Sequence, residues 1–262
     1  INQIKISKDG ATIKLEDRAA KYLIEEAEKQ QKPFFINLWM HEPHTPFHVL
    51  PKYRWWFQDL DDADNIYAAT LAHADDRIGQ LLNTLDKNGL TKKTLVVFSS
   101  DNGPARAASP TELSLSYDTA TGAGFGIGAS KGVTGGRKGY KAALFEGGIC
   151  VPFIARWPGK IPAGIVDNQA LISAVDLLPT FCELADATMP TGYVPDGVSQ
   201  VSVLLGKSDL GRKKPLFWKA SSPWPAPKNR PYHWGSYAVV DGPWKLISNS
   251  DLSHVELYAI TK

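Results

Sequence analysis

The chain has 262 residues, of which 43% are hydrophobic and 21% are charged, a composition typical of one large globular domain or of a domain with a smaller companion. Its net charge is +2, and the two signs are interspersed along the chain, which argues against nucleic acid as a partner. No apolar run approaches the ~18 residues that cross a membrane, so we expect no membrane partner.

A helix and a strand are the first predicted elements. Asp17 is a suitable N-cap for the helix. The helix would bury one face made of Ala20, Leu23, Ile24 and Ala27. The apolar run PFFINLWM, residues 33–40, predicts a buried strand. That strand ends at HEPHTP, residues 41–46, where the prolines exclude regular structure.

The strongest helical pattern begins at Asp64 or Asn65, either of which is a suitable cap, and ends at Asn88-Gly89. Apolar residues recur in it at helical spacing: Tyr67, Leu71, Ala74, Ile78, Leu81 and Leu85. A second strand, TLVVFSS at residues 94–100, follows. Strand, helix and strand form a βαβ-like unit, and continuous apolar strands are typical of an α/β sheet with helices on both faces.

A long segment rich in Gly, Ser and Thr, residues 103–140, precedes a third strand at Val151–Arg156. Loops of this length in compact domains are functional or disordered. We expect Glu146-Gly147-Gly148 to open the third strand, with the glycines serving backbone geometry. A further helix follows Ser173 and Asp176, which are spaced as a capping box.

The pattern changes beyond Pro190, where prolines, tryptophans and short alternating runs predict a small antiparallel α+β subdomain. The boundary lies near residues 190–195. We therefore divide the chain into an α/β core, residues 1–192, and a C-terminal subdomain, residues 193–262.

Polar clusters follow two of the apolar strands, HEPHTP after the first and SDNGP after the second. If those strands are parallel neighbours, both clusters lie at the carboxyl edge of the sheet, where ligands bind in open α/β folds. Asp101 and Asn102 offer oxygen ligands suited to Ca²⁺ or Mg²⁺, but two are too few, and a simple turn closed by Gly103 is the alternative. His41 and His44 either donate hydrogen bonds to an anion or bond the local backbone.

A basic cluster of Arg137, Lys138 and Lys141 either holds an anionic substrate or is a solvated loop. Cys150 and Cys182 lie in apolar segments and are interpreted as buried free thiols. The sequence contains no GxSxG, Walker, dinucleotide-binding, CxxC or HExxH motif, and no residue stands out as an activated nucleophile.

Taken in order, several of these segments resemble the type I sulfatase family of the alkaline-phosphatase-like superfamily. The segments are KPFFINLWMHEPHTPF, YAATLAHADDRIGQLLNTLDKNGLTKKTLVVFSSDNGP, KAALFEGGICVPFIARWPGKIPAG, SAVDLLPTFCELA, DGVS and GPWKLI…ELY. The resemblance runs from about residue 17 to the end of the chain. SDNGP and EGGICVPFIARWPG in this order are highly specific.

The resemblance implies an enzyme that hydrolyses sulfate esters at a Ca²⁺ site. Asp101 and Asn102 match the metal-binding Asp-Asn pair of the family. His44 matches the histidine that hydrogen-bonds the sulfate, and Lys141 matches the lysine that holds it. Lys138 is a weaker candidate for that lysine, and His41 and Arg137 are expected to help bind substrate.

Departures from the family pattern lead to a second set of expectations. The family nucleophile is a formylglycine made in a C/S-x-P-x-R motif, and residues 1–262 contain no such motif. Cys150 stands where an Arg is common in the family. The acidic metal ligands that the family carries near its N-terminus have no match either. We therefore expect the chain to be the C-terminal portion of a sulfatase, inactive alone, with a missing N-terminal segment as a further partner.

Trp218, Trp224, Trp234 and Trp244, with Arg230, Tyr232 and His233, crowd the segment 216–246. These rings either stack on a sulfated carbohydrate or form the core of the subdomain. The expected substrate is a sulfated carbohydrate or an aryl sulfate ester. The rivals are a phosphodiesterase or phosphonate-ester hydrolase of the same superfamily, and a non-catalytic, carbohydrate-binding pseudo-enzyme. From the family alone we expect a periplasmic, secreted or lysosomal location.

Overall fold

The computed structural model describes residues 13–105, 125–126, 129–207, 212–220, 232 and 234–260. The chain forms two compact units. Unit 1 comprises Ile1–Thr94 and Pro104–Val133, and unit 2 comprises Leu95–Gly103 and Thr134–Lys262. The boundary expected near residues 190–195 stays a prediction. Within the ranges described, no helix is long and apolar enough to cross a membrane.

The described part of unit 1 contains three α-helices: α1, Ile13–Lys29; α2, Pro51–Trp55; and α3, Asp62–Lys87. Asp17 lies inside α1 rather than at its start. The cap of α3 is Asp61, whose carboxylate accepts a hydrogen bond from the Asp64 backbone at 2.9 Å, so the predicted caps were wrong by three or four residues. The predicted end of α3 at Asn88-Gly89 is confirmed, with Gly89 at φ +67°.

The buried face of α3 differs from the predicted apolar stripe. Leu71 from the stripe is 43% exposed, and the fully buried positions include Thr70 and His73. The side chain of Asn65 explains part of this burial, because it bonds the backbone oxygens of Arg54 and Phe57 and accepts from Arg54 Nε. These bonds fasten α2 and the turn after it to α3, so the buried face of the helix mixes polar residues with apolar ones such as Ile66 and Leu85.

No strand forms at residues 33–40, contrary to the prediction. From Phe34 to Met40 the side chains alternate between half-buried and exposed, as they do in an extended chain. Phe35 is 72% exposed and Trp39 is 79% exposed. An apolar run encodes an extended backbone but not the neighbour that supplies ladder hydrogen bonds, and so the strand prediction failed.

Unit 2 begins with β1, Val96–Ser99, which pairs with β2, Phe153–Arg156. The third predicted strand is thereby confirmed, although it starts two residues later than expected. The pairing is antiparallel, with Val96 opposite Arg156. Glu146-Gly147-Gly148 does not open a strand but forms the short helix α4, Glu146–Ile149.

Two further helices follow, α5 at Leu177–Leu184 and α6 at Val201–Leu204. The capping box of Ser173 and Asp176 is confirmed in the turn before α5. Asp176 is completely buried, and it also accepts from the Val198 backbone and from Arg212 Nη1 at 2.6 Å. The two residues of the capping box therefore organise this whole part of unit 2.

The C-terminal residues form the predicted antiparallel sheet. Its strands pair in chain order: β3, Leu216–Lys219; β4, Tyr237–Asp241; β5, Trp244–Ser248; and β6, Val255–Ala259. One face is buried in a cluster of Ala143, Leu144, Phe145, Ala238 and Ile247. The cluster joins the sheet to the segment just before α4, which is the part of unit 2 that carries the predicted site residues.

Candidate functional site

Three backbone segments meet around the SDNGP turn of unit 2. The Gly103 amide donates to the Gly148 oxygen at 2.8 Å, and the Gly147 amide donates to the Lys138 oxygen at 2.7 Å. The glycines permit this approach, because a Cβ on Gly103 or Gly147 would overlap backbone atoms of the facing segment. Asp101-Asn102, the loop at 137–141 and α4 thus form one backbone-bonded cluster.

Replacing Gly147 by alanine is expected to lower the free energy of unfolding by about 1–3 kcal/mol, because the new Cβ overlaps the Gly139 oxygen. The matched control is Gly79→Ala within α3, where a Cβ would meet nothing within 4 Å. That variant should gain about 0.5–1 kcal/mol from helix propensity. Denaturant unfolding of both variants measures the contrast, and equal effects would contradict it.

The Asp101 carboxylate is exposed, and Asn102 beside it is half-buried. Asn102 Nδ2 donates to the Gly103 oxygen at 2.9 Å, so the amide nitrogen is used locally and Oδ1 is the atom suited to a cation. Ser100 Oγ supports the turn by donating to the Asn102 oxygen at 3.0 Å. The donor set, one carboxylate and one amide oxygen, fits Ca²⁺ in kind. Among the described residues no group of three or more His, Cys, Asp or Glu side chains completes a metal site.

The three cations of the 137–141 loop have different surroundings. Arg137 is exposed and bonds the Thr134 oxygen through Nη1 at 3.3 Å, closing a turn that contains Gly135 and Gly136 at positive φ. Lys141 is half-buried and lies just before the buried cluster at 143–145. The structure therefore gives Arg137 a local structural bond and leaves its substrate role a prediction.

Lys138 is exposed, but its ammonium contacts side chains of the C-terminal sheet. Its Nζ donates to Tyr258 Oη at 2.7 Å and lies 3.2 Å from Glu256 Oε2. It also lies 4.7 Å from the centre of the Phe145 ring and 5.7 Å from that of Tyr232, distances typical of cation–π contacts. These contacts account for Lys138 without a substrate, and the assignment of Lys141 as the lysine that holds the sulfate stays a prediction from the family match.

A buried ion pair that the sequence did not predict fixes α4. Lys245 Nζ lies 2.5 Å from Glu146 Oε1, and the lysine side chain is only 1% exposed. Burial lowers the pKa of Lys245 below its ordinary 10.5, although the charge and hydrogen bond of Glu146 oppose that shift. The pair ties strand β5 to the first residue of α4, two positions before the Gly148 oxygen that receives the Gly103 amide.

Cys150 is exposed, contrary to the expected buried thiol, and Cys182 is half-buried. The pKa of the Cys150 thiol is nevertheless raised, first by partial burial of the sulfur and then by the charge of Glu146. A raised pKa means less thiolate at neutral pH, and so less nucleophilic reactivity.

The predicted histidines lie in unit 1, in the turn at residues 41–46. His44 is exposed, and its Nδ1 lies 2.6 Å from the Thr45 oxygen, so Nδ1 carries the proton and Nε2 is the atom that can gain or release one. His41 Nε2 lies 3.1 Å from the Pro46 oxygen and is used in the same way. Both histidines bond the local backbone through one nitrogen, as the simpler interpretation expected, and their roles toward a substrate stay predictions.

Glu42, which the sequence analysis did not select, is the buried residue of the same turn. Its side chain is 2% exposed, and Oε1 lies 3.3 Å from Nδ1 of His73 on α3. The pKa of Glu42 is lowered: burial raises it most, but the interactions with His73, its own backbone amide and the charge of His41 together outweigh burial. The acid is therefore held as a carboxylate inside unit 1.

The lowered pKa of Glu42 predicts a loss of stability in acid. An acid whose folded pKa lies below its unfolded value, near 4.5, contributes stability above that value and loses it as the pH falls through the folded pKa. We expect Glu42→Gln to have a lower melting temperature than wild type at pH 7. The difference between the two melting temperatures should shrink as the pH falls below about 4. Calorimetry from pH 7 to pH 3 measures this, and a gap that is constant with pH would contradict it.

The aromatic residues of the C-terminal segment serve mainly as core. Trp218, Tyr232 and Trp234 pack against the buried cluster, and His254 stacks on Trp234 with ring centres 4.1 Å apart. Trp244 is 52% exposed. Trp224, Arg230 and His233 lie outside the described residues.

Comparison with known proteins places these observations in a family. The family model named Sulfatase matches residues 5–187, and the model for the C-terminal region of N-sulphoglucosamine sulphohydrolase matches residues 137–262. Arylsulfatase G of Mus musculus is 32% identical over 208 residues, which are 79% of this chain and 36% of that protein. N-acetylgalactosamine-6-O-sulfatase of Bacteroides thetaiotaomicron is 26% identical, covering 87% of this chain and 39% of that protein.

The fold is also that of a solved structure. The crystal structure of Ps i-CgsB in complex with k-i-k-neocarrahexaose aligns with a TM-score of 0.76 over 99% of this chain and 50% of that one. At 23% identity this likeness establishes the fold alone. The chain spans about a third of the curated relatives and half of the solved structure. The chain belongs to the sulfatase family of hydrolases and has its alkaline-phosphatase-like α/β fold, with a C-terminal subdomain.

Proposed function

We propose that the protein carrying this chain hydrolyses sulfate esters of a sulfated carbohydrate. The observation that carries the proposal is the Sulfatase match over residues 5–187, which includes the Asp101-Asn102 turn and its backbone bonds to α4. Two relatives support the substrate class by name, since one is an N-acetylgalactosamine-6-O-sulfatase and another was solved with a neocarrahexaose. Aryl sulfate esters are the second candidate class, from the arylsulfatase relatives. An exported or lysosomal location belongs to the same proposal.

Asp101 and Asn102 are proposed to supply two oxygen ligands to Ca²⁺. When bound, that ion supplies a positive charge that offsets negative charge on the ester oxygens. Lys141 would hold the sulfate through its ammonium, and His44 would donate to an ester or sulfate oxygen from Nε2 once that nitrogen has also gained a proton. His41 and Arg137 would assist binding, with Lys138 in a supporting role from the 137–141 loop, where it contacts the C-terminal sheet.

The proposed nucleophile is the formylglycine of the family, and no residue of this chain is assigned that role. Residues 1–262 contain no C/S-x-P-x-R motif, since the nearest match, Cys150-Val-Pro-Phe, is followed by Ile154. The chain alone should therefore release no sulfate. With two oxygen ligands where Ca²⁺ prefers ~6 to 8, it should also bind Ca²⁺ weakly in calorimetry.

The test is to assay the full-length protein and the isolated chain against one panel of substrates. The panel contains an aryl sulfate, N-acetylgalactosamine 6-sulfate, a sulfated carrageenan oligosaccharide, a phosphodiester and a phosphonate ester. We expect the full-length protein to release sulfate from a sulfated sugar and the chain to release none. Cleavage of the phosphorus esters alone would favour the phosphodiesterase alternative, and glycan binding without turnover would favour a pseudo-enzyme.

A further inference from the structure

Glu42 has an unusual environment for a carboxylate. Its side chain is 2% exposed, and within the part of the chain that the structure describes neither oxygen receives a hydrogen bond of good geometry. Burying a carboxylate is unfavourable unless a partner compensates for the lost hydration. The partner here is His73, so the reason for a glutamate at this position lies in that contact.

The protonation state of His73 follows from its second neighbour. Arg77 Nε lies 3.2 Å from His73 Nε2, and a guanidinium can only donate. Nε2 must therefore be the acceptor, which places the ring proton of neutral His73 on Nδ1, facing Glu42 Oε1 at 3.3 Å. The ring is also packed by Tyr53, 5.1 Å away between centres. α3 thus places the Nδ1–H side of the ring beside the buried carboxylate, within ion-pair distance but without a well-aligned hydrogen bond.

The turn that contains Glu42 is anchored on both sides. Residues 41–46 form no helix or strand, and bonds from the His44 amide and from both histidine rings to backbone oxygens close the turn. Just after the turn, the buried Phe47 packs with Ile66 of α3. His44 itself is exposed. Glu42, two residues before His44, anchors the other side of the turn against α3.

We propose that Glu42 and His73 are positioning residues, which orient the turn so that His44 Nε2 meets the sulfate ester. The inference rests on the proposed function, because it assumes that His44 acts on that ester. Neither residue touches the substrate. The pair orients rather than stabilises, since two apolar residues of similar volume would serve stability as well or better.

The kinetic test uses the full-length protein and the sulfate ester that it hydrolyses fastest. Glu42→Gln should lower kcat by about 10- to 100-fold, because a misplacement of ~1 Å is enough for such a loss. His73→Asn should retain most of the activity, since its amide nitrogen replaces Nδ1 as the donor. The double variant Glu42→Met/His73→Leu should match the melting temperature of wild type or exceed it, yet lose as much kcat as Glu42→Gln. A double variant with wild-type kcat would overturn the proposal.

A second measurement separates this inference from the proposed function. In ¹⁵N spectra of the isolated chain, the His73 ring should carry its proton on Nδ1, and Glu42→Gln should shift the His44 ring resonances. The control is Asp61→Asn, which changes the cap of α3 without altering the turn. If no sulfate ester is hydrolysed, the proposed function fails while these spectra still test the contact. Unchanged His44 resonances in Glu42→Gln would overturn the positioning role by themselves.

Discussion

Replacing Glu146 by methionine will lower the free energy of unfolding by about 3–5 kcal/mol, because it leaves a buried ammonium without its counter-charge. Lys245 is 1% exposed, whereas the Glu146 side chain is 29% exposed. The lysine also faces the Trp218 ring, with Nζ 5.8 Å from its centre, which cannot replace a carboxylate. Once Glu146 is removed, the protein must either bury the charge or neutralise it.

The reverse variant should be far milder. Lys245→Met puts an apolar chain of similar volume into the core, and the remaining Glu146 carboxylate can be hydrated through its exposed side. The double variant Glu146→Met/Lys245→Met should therefore resemble Lys245→Met, although it contains the more damaging change. Urea unfolding of the three variants at pH 7 measures this asymmetry. Equal losses for the two single variants would contradict it.

The stability of Glu146→Met should also rise with pH. Burial already lowers the pKa of Lys245 in the folded chain, and loss of Glu146 lowers it further. When a base has a lower pKa folded than unfolded, the unfolded state binds more protons, so stability rises with pH up to about 10.4, the unfolded value. Part of the loss measured at pH 6 should therefore be recovered at pH 9, and Lys245→Met should show no such recovery.

Sequence patterns predicted those parts of the fold that are encoded locally. The capping box at Ser173 and Asp176, the helix end at Asn88-Gly89 and the alternating strands of residues 237–259 each depend on residues a few positions apart. Predictions that needed a distant neighbour failed. No strand forms at residues 33–40, and Glu146-Gly147-Gly148 forms the helix α4 instead of opening a strand. The buried face of α3 was wrong for the same reason, since Asn65 packs there only because α2 supplies its bonds.

The candidate site residues also divide into those that a local motif predicts and those that depend on a distant neighbour. Motif order was enough to identify Asp101, Asn102 and Lys141 as candidates, and the backbone bonds of Gly103 and Gly147 unite the segments that carry them. Glu42, His73 and Lys245 were missed because the partner of each lies on a remote element. Glu42 follows His41 in a polar turn, and His73 is a single histidine on a helix. Neither sequence context predicts a buried side chain. Only the packing shows that their side chains are buried.

The choice between the two lysines of the site gives the largest expected effect on activity. Lys141→Met in the full-length protein should lower kcat/KM for a sulfate ester by about 10²- to 10³-fold, as removal of an electrostatic contact to the reacting group does in other enzymes. Lys138→Met is the matched control, because Lys138 is already engaged by Glu256, Tyr258 and Phe145.

That control should lower the melting temperature, and its loss of kcat/KM should be far smaller than the loss in Lys141→Met. Steady-state kinetics and calorimetry on the same preparations separate the two effects. If Lys138→Met abolishes turnover and Lys141→Met does not, the sulfate-holding role belongs to Lys138. Its bonds to Glu256 and Tyr258 would then orient a catalytic cation rather than lock a structural one.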